Sequence, residues 1–207
     1  MYSILDFLYH PYSQYPPLYI LLEATAVFLG FVSVWCSKNN NILVYPTGMI
    51  STSIYVFLLF KFDLIGDMLI NGYYFLMSIY GWYFWTQSKN GIILNKISRM
   101  NILELKTSLA LFISAILFVF IIYYYFNMWN NIIAYVDTIT TAIFFVGMWL
   151  MARRKIENWL FWIIGNVISV PIYLYKGLAL TGFQYLVFTF IAIAGYFAWK
   201  KEIKYVK

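Results

Sequence analysis

The chain has 207 residues, 63% hydrophobic and 11% charged, with a mean hydropathy of +0.75. A soluble domain carries roughly a quarter charged residues, so this composition cannot make a water-facing surface and assigns the chain to a lipid bilayer. The formal charge of +6 does not point to nucleic acid, because the basic residues fall between apolar runs, as membrane topology requires. A single cysteine (Cys36) excludes an internal disulfide, and a single histidine (His10) excludes a His-rich metal cluster.

Residues 1–18, which begin MYSILDFLYHPYSQYPP, are short, aromatic and proline-bearing. They are expected to lie on the membrane interface rather than cross it. No basic stretch precedes a cleavage site, so the first span is expected to act as the insertion signal. Crossing the hydrocarbon takes about 20 apolar residues in a helix. Seven runs qualify: 19–37, 43–60, 65–85, 106–126, 132–151, 158–175 and 178–199, followed by a basic tail at 200–207.

With the N-terminus outside, Lys38, Lys89, Lys96, Arg99, Lys106, Arg153, Arg154, Lys155, Lys200, Lys201, Lys204 and Lys207 face the cytoplasm, and only Lys61 and Lys176 face out. Twelve against two is a strong positive-inside bias. The predicted class is an all-α membrane protein with seven transmembrane helices, N-out and C-in.

Sliding the chain along itself by 114 residues sets Glu23 on Asp137, Trp35 on Trp149, and Gly81-Trp82-Tyr83-Phe84-Trp85 on Gly195-Tyr196-Phe197-Ala198-Trp199. At a slip of one more, Lys61 meets Lys176. Residues 19–85 and 132–199 therefore read as two three-helix repeats joined by a linker helix at 106–126. This 3+1+3 order makes the repeats parallel, an arrangement found in transporters.

Positions i, i+4, i+7 and i+11 share one helix face. Trp162, Asn166, Ser169 and Tyr173 have that spacing on span 6, and Asp67, Asn71, Tyr74 and Ser78 on span 3. Span 7 adds Thr181 and Gln184, and span 2 adds Thr47, Ser51 and Tyr55. A polar side chain in hydrocarbon needs a partner, and one asparagine alone would fit interhelical glue. Two matched stripes rich in aromatics fit the walls of a substrate path. Trp162 fits either the path or an interfacial belt; Trp159 is read as belt. Pro171 removes a backbone hydrogen bond, which makes it a gating hinge or a static bend. Glu23, Asp67 and Asp137 lie toward the outer ends of spans, where they fit a solvated role, attraction of a cation, or proton transfer. Tyrosines and phenylalanines, 20 and 19 of them, also suit a cation. No phosphate-cradling loop, HExxH or Ser-His-Asp set is present. No enzyme activity, cofactor or metal is expected, and transport is not driven by ATP on this chain.

Trp162-Ile-Ile-Gly-Asn166, followed by Pro171, Tyr173, Lys176-Gly177 and Gly195-Tyr196-x-x-Trp199, resembles the PnuC family of bacterial nicotinamide riboside transporters. Ile65 to Trp85, IGDMLINGYYFLMSIYGWYFW, looks like the third core helix of the same family. The likeness runs from about Tyr19 to Trp199. It implies a fold related to the SWEET transporters, a homotrimer in the bacterial inner membrane, and facilitated diffusion of a vitamin precursor. It also implies that Trp162 and Asn166 line the substrate site, and that a cytoplasmic kinase traps the entering vitamin as a phosphate. Many members have glutamine where this chain has Asn71. Members also carry thiamin or riboflavin. Nicotinamide riboside and thiamin both bear a cationic ring nitrogen, so composition does not separate them.

Read this way, Asn166 bonds hydroxyls or an amide, Trp162 and Tyr173 stack on a ring, and Asn71, Tyr74, Gln184, Ser169 and Tyr55 complete the site, with Pro171 as its gate. The rivals are a vitamin-binding subunit served by a separate ATPase, a proton-coupled transporter and a membrane scaffold.

Overall fold

The structure is a computed structural model and describes residues 16–62, 65–126, 132–175 and 179–205. The proposed interfacial segment falls almost wholly outside these residues. The described chain is all-helical apart from one small hairpin. Its helices are α1 (Pro17–Lys38), α2 (Val44–Lys61), α3 (Ile65–Thr86), α4 (Ile102–Tyr125), α5 (Ile132–Ala152), α6 (Asn158–Tyr175) and α7 (Ala179–Tyr205). The hairpin pairs β1 (Ser88–Lys89) with β2 (Ile92–Ile93) in antiparallel register. Five helices, α1, α4, α5, α6 and α7, are long and apolar enough to cross a membrane.

Local chemistry sets the helix limits. Pro17 opens α1, where its missing N–H costs nothing. α4 begins four residues before the apolar run at 106 because Asn101 and Glu104 form a capping box: each side chain accepts from the other's backbone N–H. α7 continues through the basic residues to Tyr205, since nothing between Trp199 and Tyr205 breaks a helix.

Six helices close a ring in which each touches the next: α1, α2, α3, α5, α6, α7 and back to α1. α4 stands outside it, against α5. The difference shows in burial. Twelve of the 21 residues of α5 are buried, but only four of the 24 in α4.

The core lies at the end of the ring where α1, α3 and α5 finish. Trp85, Trp159, Trp199 and Tyr45 are all buried there. The Trp85 indole donates to the Ala152 carbonyl at 3.1 Å, and the Trp199 indole to the Ser37 carbonyl at 3.0 Å. Tyr45 packs edge-on to Trp85 at 5.1 Å, and Trp159 edge-on to Trp199 at 5.5 Å. Gly81 leaves room for the Tyr45 ring and Gly195 for the Trp159 ring; a Cβ at either would overlap it. Every residue in the second member of these pairs is 114 or 115 positions from its counterpart in the first. Two counterpart pairs touch each other: Trp85 lies 5.9 Å from Trp199, and the Ser37 hydroxyl donates to the Met151 sulfur at 3.3 Å. Trp159 is thus a core residue, 1% exposed, and not part of an interfacial belt. Gly195 explains why: without a Cβ there, α7 admits the indole into the bundle.

The loops at this end are tied together by charge. Glu104 accepts from Lys155 at 2.9 Å and Arg153 at 3.3 Å. Across the same seam the Ser98 N–H donates to the Arg154 carbonyl at 3.1 Å, and the Ser98 carbonyl accepts from the Ile156 N–H at 3.0 Å. Arg154 donates to the Asn95 carbonyl and lies over the Trp85 ring at 4.1 Å. Burial pushes its guanidinium down from the usual value, opposed by the charges of Tyr45 and Glu202.

Candidate functional site

The middle of the ring is lined by aromatic side chains from four helices. On α6, Trp162 stacks on Phe144 of α5, with centroids 5.4 Å apart and planes at 30°. Phe144 also lies parallel to Tyr185 of α7 at 6.1 Å, and Tyr185 packs on Tyr173 of α6 at 5.0 Å. The hydroxyls of Tyr173 and Tyr185 are hydrogen-bonded. From α3, Tyr74 approaches Trp162 at 6.5 Å and Phe145 at 6.3 Å. Phe145 instead packs toward Phe112, Ala115 and Ile116 of α4, where Tyr73 stacks on it at 4.0 Å and donates its hydroxyl to the Phe145 carbonyl at 2.9 Å.

Two glycines lie under these rings, and Gly165 makes the packing possible. Gly147 faces the Trp162 indole, and Gly165 admits the Phe144 ring where any Cβ would collide with it. Phe144 therefore rests directly on the α6 backbone, one position before Asn166. Asn166 and Ser169 are each 3% exposed, so the polar stripe of α6 faces inward. Along that stripe the chemistry runs from indole to amide to hydroxyl to phenol.

The remaining sequence candidates fall around this box. Tyr55 is half-buried on α2, which stands opposite α6 in the ring, and is the counterpart of Ser169. Gln184 is half-buried on α7, next to Tyr185. Asn71 is half-buried near the far end of α3 and donates to the Asp67 carbonyl at 3.0 Å. Asp67 and Asp137 act electrostatically on both Tyr123 and Tyr173, so two carboxylates stand over the end of the box away from Trp85. Pro171 is exposed on the outer face of α6, and the helix continues past it to Tyr175. Thr181 and Lys176 lie outside the side chains described.

Other stripe residues serve their own scaffold. Ser78 donates to the Tyr74 carbonyl at 2.8 Å and Thr47 to the Leu43 carbonyl at 2.6 Å. Ser51 crosses to the Ala26 carbonyl of α1 at 2.8 Å, which makes it interhelical glue. The sequence reading did not include Phe144 and Tyr185, which pack beside Trp162 and Tyr173. The doubled aromatic Phe144-Phe145, beside Gly147, was the available signal.

A sequence model of the nicotinamide mononucleotide transporter family matches residues 20–201. The chain belongs to that family. It is 27% identical to the nicotinamide riboside transporter PnuC of Escherichia coli strain K12, covering 86% of this chain and 84% of the relative. The PnuC of Shigella flexneri gives the same figures. Among solved structures, the crystal structure of the vitamin B3 transporter PnuC superposes with a TM-score of 0.67 over 97% of this chain and 86% of that one, at 20% identity. Family membership makes the chain a transporter rather than an enzyme, and with its long apolar helices it is a multi-pass membrane protein.

Proposed function

We propose that this transporter carries nicotinamide riboside into the bacterial cytoplasm by facilitated diffusion, and that the aromatic box around Trp162 and Asn166 is its substrate site. The observation that carries the reading is the box itself. It holds flat π faces at several angles, a buried amide and phenol hydroxyls, inside a ring of helices and below two carboxylates. Aromatic faces attract a cationic ring. Buried polar groups give directional bonds to ribose hydroxyls or a carboxamide, and select against ligands that leave them unpaired. The names of the relatives support the choice of vitamin.

The same reading includes seven spans with the N-terminus outside, a parallel 3+1+3 repeat and a homotrimer. The self-touching counterparts support the repeat. Ser37, Trp85 and Met151 each lie one residue from a helix end, and counterparts can touch there only about an axis running along the helices. The excess of basic residues at that end supports its placement in the cytoplasm.

A carrier that binds equally from both sides cannot concentrate its substrate. Accumulation therefore requires a cytoplasmic kinase. Among the described residues of the box no basic side chain stands ready to pair with a phosphate dianion, so the phosphorylated vitamin is retained. The test is uptake of labelled nicotinamide riboside into proteoliposomes. We expect saturable equilibration without ATP, sodium or a pH gradient, and accumulation only with kinase and ATP enclosed. Uphill uptake driven by pH alone, or tighter calorimetric binding of thiamin or riboflavin, overturns the proposal.

A further inference from the structure

The loop between α3 and α4 is built unlike the other connections described. Asn90 and Gly91 both have positive φ, 53° and 77°, the backbone that closes a tight two-residue hairpin and that asparagine and glycine favour. The hairpin is then pinned from below. Asn95 donates to the Phe84 carbonyl at 2.7 Å and to the Gln87 side chain at 2.9 Å, and its own carbonyl accepts from Arg154 at 2.6 Å. This rigid frame presents three consecutive aliphatic residues outward: Ile92, Ile93 and Leu94 are 63%, 49% and 56% exposed. Such a run on a water-facing loop is unfavourable unless it has a function.

The charge around the run indicates the partner. Lys89, Lys96, Arg99 and Lys106 are all exposed, whereas the one acid of this stretch, Glu104, is buried against Lys155 and Arg153. The level of the hairpin is set by its neighbours. Trp82 and Tyr83, just before it on α3, are exposed, as are Ile102 and Leu103 at the start of α4. Exposed aromatic and aliphatic side chains at helix ends mark the boundary between hydrocarbon and headgroups. The hairpin emerges within a few residues of that boundary on both sides.

We propose that the 88–96 hairpin is a lipid anchor. Ile92, Ile93 and Leu94 enter the acyl boundary of the leaflet at the basic end, while Lys89 and Lys96 pair with anionic headgroups. An apolar insertion together with basic contacts is the two-part signal that holds a peripheral element on a membrane. This goes beyond the transport reading and does not depend on which vitamin is carried.

The full-length protein, carrying Cys36→Ser and Ile93→Cys, is labelled with an environment-sensitive fluorophore. It is reconstituted in phosphatidylcholine vesicles with and without phosphatidylglycerol. Lipids brominated on the acyl chain should quench the label, about twofold more when phosphatidylglycerol is present. Lys89→Gln with Lys96→Gln should remove that difference. A parallel label at Leu94→Cys guards against a single misfolded variant. Quenching by aqueous iodide but not by brominated lipid in both compositions overturns the proposal. So does shielding from both quenchers combined with energy transfer between labelled copies, because a second copy would then cover the hairpin.

Discussion

At the end of the bundle where Trp85 and Trp199 meet, residues 114 apart do the same work; in the middle of the ring they do not. Tyr45 and Trp159 have different side chains and the same role, each seated edge-on against a tryptophan over a glycine. Trp162, Asn166 and Gly165 have as counterparts Gly48, Thr52 and Ser51, whose roles are unlike theirs. Gly48 leaves room for the Ser33 hydroxyl, Thr52 donates to the Gly48 carbonyl, and Ser51 binds α1. At one end the counterparts share their roles because both face the same packing problem there. In the middle the roles diverge, as the site proposed above for one asymmetric molecule requires.

The largest effect should come from breaking the symmetric end. Trp85→Ala and Trp199→Ala each remove a buried indole, which costs about 3–5 kcal/mol. Each also removes an indole hydrogen bond, to the Ala152 carbonyl or to the Ser37 carbonyl, the latter keeping the Asn40 N–H. Both should lower the thermal unfolding midpoint in detergent, and by similar amounts. A large drop from one with almost none from the other would mean that the two halves do not share the core equally.

Next comes the box. Gly165→Val forces its side chain into the space of the Phe144 ring. Overpacking of this kind costs about 1–3 kcal/mol, and it also displaces the ring that stacks on Trp162. Affinity for nicotinamide riboside should fall with stability. Wild-type calorimetric binding by a folded Gly165→Val protein would remove Phe144 from the site.

Asn166→Ala should weaken binding by about 1–3 kcal/mol, the cost of leaving a buried ligand group unpaired. Trp162→Ala should cost at least as much through lost stacking. Thr52→Ala, at the counterpart of Asn166, should leave the dissociation constant unchanged, because its hydroxyl already serves its own helix. Equal losses from Asn166→Ala and Thr52→Ala would indicate a symmetric site and sink the comparison.

The sequence was most readable where one residue type carries one physical demand. Long apolar runs marked the seven described helices to within a few residues, apart from the starts and ends set by a cap at Asn101 and by α7 continuing to Tyr205. The terminal tryptophans Trp85 and Trp199 aligned because both must donate to a carbonyl. Tyr45 and Trp159 were not recognised as counterparts, since edge-on packing accepts either ring and leaves no identity to match. Helical spacing groups Trp162, Asn166, Ser169 and Tyr173, which lie on one helix. It could not find Phe144 or Tyr185, whose place depends on contacts between α5, α6 and α7. Nor could it separate Ser51 and Ser78 from site residues, because a serine that bonds a carbonyl and one that awaits a ligand look alike on a stripe.

The smallest effect tests that last point. Ser51 is 4% exposed and donates to the Ala26 carbonyl across the α1–α2 seam at 2.8 Å. Hydrogen bonds between membrane helices are worth on average about 0.6 kcal/mol, because the separated helices find other partners. Ser51→Ala should therefore lower stability only slightly. Gly30 of α1 faces the Ser51 hydroxyl, and losing one hydroxyl leaves little void, so the helices stay in register. Nicotinamide riboside affinity should not change. Thermal unfolding and calorimetry on the same preparation separate the two quantities. If affinity falls while stability holds, Ser51 belongs to the substrate path, and the first repeat contributes more of the site than its own packing requires.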